Sequence, residues 1–211
     1  MLDKLTDDVL AIAKTLGKDR FHLIGHDWGA AIGWKFVHDY PEKIMSWTGM
    51  SVPHIQAFFE AIAKDKDQRR RSRYMSAFQF PILPEMNIRK NDFHIFRRLW
   101  KYSSKVQVEN YLSVFREKKA LTAALNYYRG NGHLIKHAIK SQIIGDITTP
   151  TLFIWGENDR AIGPVSVENG HQYMKGYYKF LPLDSGHWLI QTKYEEIREA
   201  VMDHLLKFNN Q

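Results

Sequence analysis

A chain of 211 residues with 44% apolar side chains can bury one sizeable core, or a core with a small appended domain, and its ordinary glycine and proline content excludes a fibrous or disordered polymer. The lack of any cysteine removes disulfides and thiolate chemistry and fits a reducing cytoplasm. A formal charge of +7 leaves room for an anionic partner, but no stretch has the length and apolarity of a membrane span, and Met1-Leu2-Asp3-Lys4 lacks the basic start and apolar run of a secretory signal. The expectation is a soluble cytoplasmic protein without membrane association.

Leu2, Leu5, Val9, Ile12 and Leu16 recur at spacings of three and four, one apolar stripe of an amphipathic helix that Gly17 stops. Residues 21–24 read as a short buried strand, 25–29 as a tight turn, 30–40 as a second helix ended by Pro41, and 44–50 as another strand. Short strands alternating with helices predict a mostly parallel sheet covered on both faces. The pattern then turns helical and aromatic-rich, marking a helical insertion over residues 54–145 between sheet-bearing parts at 1–53 and 146–211. The insertion carries a basic cluster at residues 64–73, interrupted by Asp65 and Asp67. With no nucleic-acid motif beside it, the cluster reads as a solvated helix face rather than a nucleic-acid contact. Strand rhythm returns at 151–155, followed by a turn at 156–159, a helix near 165–175, a strand at 177–181 and a final helix over 190–208.

Gly25-His26-Asp27-Trp28-Gly29 has the form G-x-nucleophile-x-G between a strand and a helix. Such a turn is so sharp that small residues are expected on both sides of the nucleophile, whose side chain is pushed clear of the backbone at the edge of the sheet. The helix N-terminus beneath it supplies amide donors and a positive dipole end, which favour a carboxylate. Alone, the five-residue pattern also fits an ordinary turn; its strand–turn–helix setting is what marks Asp27 as a candidate nucleophile. A carboxylate displaces leaving groups at saturated carbon and forms an alkyl ester, so epoxides and carbon–halogen bonds suit it better than amides or ordinary esters.

His187, in Gly186-His187-Trp188, follows a predicted strand and precedes the last helix, where it can reach the elbow and activate water. Asp159, in Gly156-Glu157-Asn158-Asp159, follows the strand at 151–155 and can accept the second ring proton of that histidine. Glu157 is the competing acid. His187 is one of ten histidines, and Asn-Asp is ordinary turn chemistry. The chain order nucleophile, acid, histidine, each just after a strand, argues for the three acting together.

The segments HLIGHDWGAAIGWKFVHDYPEKI, SVPH, WGENDRAIG and DSGHW resemble the aspartate-nucleophile branch of the α/β-hydrolase superfamily, and most of all its epoxide hydrolases. The resemblance implies that the insertion is the family's cap and that no metal or organic cofactor takes part. It also implies that two cap tyrosines, here Tyr74 and Tyr128, donate hydrogen bonds to the epoxide oxygen. Tyr127 is the nearest decoy, and packing in an aromatic-rich cap is the bland explanation for both. Trp28 would supply an oxyanion-hole amide or contact substrate. Haloacetate dehalogenases carry arginines where this chain has Trp28 and Ala31, which disfavours haloacetates; haloalkane dehalogenases share the tryptophan, but the tyrosine pair argues against them. A small-molecule epoxide is therefore the expected substrate, with an organohalide as the alternative and no nucleic-acid partner.

The resemblance begins partway into the family's fold. The family's first strands and its HG-x-P loop, which supplies one oxyanion-hole amide, have no counterpart here. Two expectations follow. The strand at 21–24 becomes an exposed sheet edge through which copies could associate. The chain forms the ester but hydrolyses it slowly, or is a non-catalytic remnant that serves only in binding or assembly.

Overall fold

The computed structural model describes residues 2–209; Met1, Asn210 and Gln211, which fall within the expected spans 1–53 and 146–211, lie outside the described residues. The chain forms two compact units, one made of Met1–Arg71 with Leu134–Gln211 and the other of Ser72–His133.

The first unit is built on four parallel strands in the order β1 (Phe21–His26), β2 (Ile44–Met50), β3 (Thr151–Gly156) and β4 (Tyr178–Leu183). Its helices are α1 (Leu2–Thr15), α2 (Trp28–Asp39), α3 (Ile55–Lys64), α4 (Lys66–Arg71), α9 (Leu134–Lys140), α10 (Pro164–Gly170), α11 (Leu189–Thr192) and α12 (Tyr194–Lys207). Every residue of β3 is buried, as are all but one of β2, the signature of parallel strands covered on both faces. On one face Trp47 and Phe153 pack against Trp34 of α2. On the other, Met50, Leu152, Ile154 and Leu183 pack with Leu189 of α11 and Ile197 and Ala200 of α12. Among the described strands β1 is an edge, and Ile24 is 45% exposed there.

Three details differ from the pattern read off the sequence. The α1 stripe is only half used: Leu2, Thr6 and Ala13 are buried while Ile12 and Leu16 lie exposed, because the packed face follows the approach of α2 rather than the most apolar line. The single final helix is two, broken at Lys193, where the backbone leaves the helical region (φ −136°, ψ 41°). The separate helical unit is shorter than 54–145, because α3 packs with α9 and α10 in the sheet unit.

The second unit comprises α5 (Arg73–Ala77), α6 (Leu83–Leu99, interrupted by non-helical backbone at 90–93), α7 (Lys105–Arg116) and α8 (Ala120–Asn131). Arg129 ties it together, donating to Glu85 at 2.8 and 2.9 Å and to the carbonyls of Phe78 and Phe80 at 3.0 and 2.8 Å. No helix among the described residues is long and apolar enough to cross a membrane.

Candidate active site

Asp27 leaves the end of β1 and immediately precedes α2, with φ 55° and ψ −119°, a backbone conformation that costs free energy in a non-glycine residue. The surroundings hold it there. Its N–H donates to the Met50 carbonyl at 3.4 Å, and its own carbonyl accepts from Ala31 at 3.0 Å as the helix begins. The two glycines around it are not equivalent. A Cβ at Gly25 would lie 2.4 Å from the Gly29 carbonyl oxygen, so the turn cannot close with a side chain there. A Cβ at Gly29 would meet nothing within 4 Å, so the expectation that both flanks must be small holds for the first only.

His187 lies between two carboxylates. Its Nδ1–H donates to Asp159 Oδ2 at 2.7 Å, and its Nε2 lies 3.4 Å from Asp27 Oδ1. Glu157 sits on the exposed side of the same turn, so Asp159 is the acid that reaches the histidine. The environments of the two aspartates differ. The Asp159 side chain is fully buried, and its Oδ1 accepts from the Ala161 and Ile162 amides at 2.7 and 3.1 Å. The Asp27 side chain keeps 35% of its surface accessible. The loops carrying Asp159 and His187 meet at Gly156, where a Cβ would lie within 2.4 Å of the Gly186 carbonyl oxygen, and Asn158 bridges back to Ser185 and Asp184 at 2.9 and 2.7 Å.

Burial disfavours the His187 cation, but hydrogen bonds and charge from Asp159 and Asp27 outweigh it and push the pKa up to about 10. Burial likewise opposes ionisation of Asp27, yet His187, with help from His26 and the Trp28 amide, holds its carboxyl below the usual carboxylate range. The resting site therefore favours an ionised Asp27 beside a protonated His187.

Two residues not singled out in the sequence hold the histidine's main chain. His26 Nε2 lies 2.9 Å from the His187 carbonyl, and Ser51 Oγ donates to the same oxygen at 3.0 Å. A carbonyl only accepts, so His26 carries its proton on Nε2. Burial, and then the neighbouring His187 charge, lower its pKa. Nothing in the local sequence of Ser51 announces this role, since its partner is 136 positions away.

The chain matches the alpha/beta hydrolase fold family over residues 2–194. It belongs to that family. Among curated relatives, this hydrolase-fold chain is 32% identical over 218 residues to epoxide hydrolase 4 of Homo sapiens, covering 97% of the chain and 58% of that protein. It is 30% identical over 217 residues to epoxide hydrolase 3 of Xenopus tropicalis, again covering 97% of the chain and 58% of the relative. The chain thus spans well under two thirds of the length of these relatives. Among solved structures, Bacillus megaterium epoxide hydrolase in complex with an inhibitor superposes with a TM-score of 0.87 at 23% identity, covering 97% of this chain and 75% of the other. That likeness shows a shared fold.

In the helical unit, Tyr74 and Tyr128 come together edge-on with ring centroids 5.8 Å apart, and Phe78 packs on both at 5.5 and 5.0 Å. Trp28 is the first residue of α2, and its amide helps to hold the Asp27 carboxyl ionised. Of the basic cluster, Arg69 donates to the carbonyls of Ile62 and Ala63, Arg70 and Arg71 pair with Asp67, and Arg71 also reaches the Asp159 carbonyl. Among the described residues no group of three or more His, Asp or Glu side chains could hold a metal ion.

Proposed function

We propose that the chain carries the catalytic centre of an epoxide hydrolase, with Asp27 as nucleophile, His187 as base and Asp159 as the acid that orients it. The observation that carries this reading is one histidine held between two carboxylates of opposite character, one sealed and hydrogen-bonded, the other accessible at a strained elbow. Environments that differ in this way assign roles: the sealed carboxylate orients, and the accessible one attacks.

In the first step an Asp27 oxygen bonds to a ring carbon of the epoxide and the carbon–oxygen bond of the ring breaks. The alkoxide takes a proton from a phenol, the part we assign to Tyr74 and Tyr128 of a cap formed by the helical unit, and solvent restores that proton. Esterification removes the Asp27 charge. His187 then loses one of the two carboxylates that hold its pKa at about 10, gives up its proton, and becomes a competent base. In the second step neutral His187 takes a proton from water, and the hydroxide attacks the ester carbonyl. The Trp28 amide, which faces the Asp27 carboxylate, is placed in this mechanism as a donor to the oxyanion. Collapse of the tetrahedral adduct releases a vicinal diol and regenerates the carboxylate.

The same resting site suits displacement of halide, and two substrates separate the readings. Incubation with an aryl epoxide and, separately, with a haloalkane of similar size is expected to give diol from the first and no free halide from the second. Halide release without diol would establish the dehalogenase. A folded chain inert to both would leave a binding or assembly role.

A further inference from the structure

The acid turn that ends in Gly163 is not held by the sheet alone. Asp159 fixes the inside of the turn through the Ala161 and Ile162 amides. The outside is held by α4, the short helix that ends immediately before the chain enters the helical unit at Ser72. Gln68 of α4 has no exposed surface, and its side chain is satisfied at both ends. Its Nε2 donates to the Ala161 carbonyl at 2.8 Å, and its Oε1 accepts from the Gly163 amide at 2.7 Å and from Ser166 Oγ at 3.3 Å. Arg71, one helical turn on, donates to the Asp159 carbonyl at 2.6 Å and is steadied by Asp67 at 2.6 Å. Asp65 caps α4 by accepting from the Gln68 amide at 2.7 Å. One short helix thus bonds the backbone at Asp159, Ala161 and Gly163, three points along the turn whose carboxylate holds His187.

A buried glutamine with both ends engaged is a geometric constraint, because leaving either end unpaired in the interior is costly. Four of the five residues over 67–71 would otherwise read as solvated charge. Of the five, only Gln68 is fully buried.

We infer that Gln68 and Arg71 are positioning residues for the base: through the turn at 159–163 they set the distance and angle at which Asp159 meets His187 Nδ1. The inference rests on the roles proposed above for Asp27, His187 and Asp159. It predicts an effect confined to one half of the reaction. Ester formation needs Asp27 and no base. Ester hydrolysis needs neutral His187 in the correct tautomer, which Asp159 fixes.

The test uses the full chain with Gln68→Met, which keeps volume and removes both hydrogen-bonding ends, and Arg71→Met. Arg70→Gln, at an exposed residue paired with Asp67, is the control. Two readouts are taken. The first needs no substrate: the ¹⁵N-resolved titration of His187, with its low-field Nδ1 proton, in parent and variants. Loosening the Asp159 bond is expected to broaden or shift that proton upfield and to lower the apparent His187 pKa by about one pH unit in Gln68→Met and Arg71→Met, with no change in Arg70→Gln. The second is single-turnover reaction with an aryl epoxide. Decay of the alkyl ester is expected to slow on the order of 10- to 100-fold in the two Met variants, while its formation stays within about 2-fold of the parent.

A folded Gln68→Met chain with parental His187 titration, or one that slows formation and decay equally, overturns the inference. If Gln68→Met fails to fold, Arg71→Met carries the same two readouts, and parental behaviour there overturns it. Failure of the proposed function looks different. The parent itself would form no ester, while the His187 titration would still report whether α4 sets the Asp159 contact.

Discussion

His54 offers a test of whether burial alone can fix a charge state in this fold. It is 1% exposed and stacks flat on Tyr173, with ring centroids 4.2 Å apart and planes 10° from parallel. Its Nε2–H donates to the Gly145 carbonyl at 2.9 Å, and its buried Nδ1 finds no hydrogen-bond partner among the described residues. Burial pulls its pKa from 6.5 down to about 3. The Gly145 bond opposes this, His38 adds to it, and Glu60 offsets part of it. Below pH 6.5 the unfolded chain therefore takes up a proton that the folded chain refuses, and stability falls as the pH drops towards the folded value. Linkage between those two pKa values gives a loss of about 2 kcal/mol on going from pH 7 to pH 5, rising to roughly 4 kcal/mol near pH 3. His54→Gln can keep a donor to the Gly145 carbonyl while removing the titration. Urea unfolding at pH 7 and pH 5 is expected to show the parent losing about 2 kcal/mol more than the variant over that interval. Contributions from His26, His187 and His204 are common to both chains and cancel. Equal pH dependence in parent and variant would refute the argument that burial holds His54 neutral.

Other consequences are equally direct. Gly25→Ala is expected to abolish a folded elbow, because its Cβ meets the Gly29 carbonyl at 2.4 Å, whereas Gly29→Ala leaves folding intact; circular dichroism and soluble yield check both. Asp159→Asn is expected to retain ester formation but to slow ester hydrolysis on the order of 10⁴-fold, as when an orienting carboxylate is neutralised in a serine protease triad, and rapid-quench kinetics separates the steps. Arg129→Met strands the half-buried Glu85 carboxylate and two carbonyls, and is expected to destabilise the helical unit by about 3 kcal/mol, read as earlier proteolysis within residues 72–133.

Local signals were legible where the physics is local. The strand at 44–50 matches β2 at both ends because an apolar run bounded by Lys43 and a turn leaves little freedom. The elbow at Asp27 was legible because a strand, a glycine-lined turn and a helix follow one another without interruption over residues 21–39, a single supersecondary unit. Glu157 competes with Asp159 in the sequence, where Asp159 fits the motif better; in the structure the Asp159 amide bonds the Gly156 carbonyl, its carboxylate takes two amides of its own turn, and Glu157 is exposed. His26, Ser51 and Gln68 could not be assigned their partners in advance, since those lie 161, 136 and 93 to 98 positions away and carry no periodicity. The basic cluster misleads by composition: six cations and two acids conceal the one buried amide, about which charge counting says nothing.

The central claim is that Asp27 is alkylated, and intact mass tests it most directly. His187→Gln removes the base, so an ester once formed should persist. On exposure to an aryl epoxide that chain is expected to gain the mass of one substrate, mapped to the peptide bearing Asp27, while the double variant Asp27→Asn with His187→Gln gains none. An adduct of equal yield on the double variant, or no adduct on a folded His187→Gln chain, would contradict the assignment of Asp27 as nucleophile.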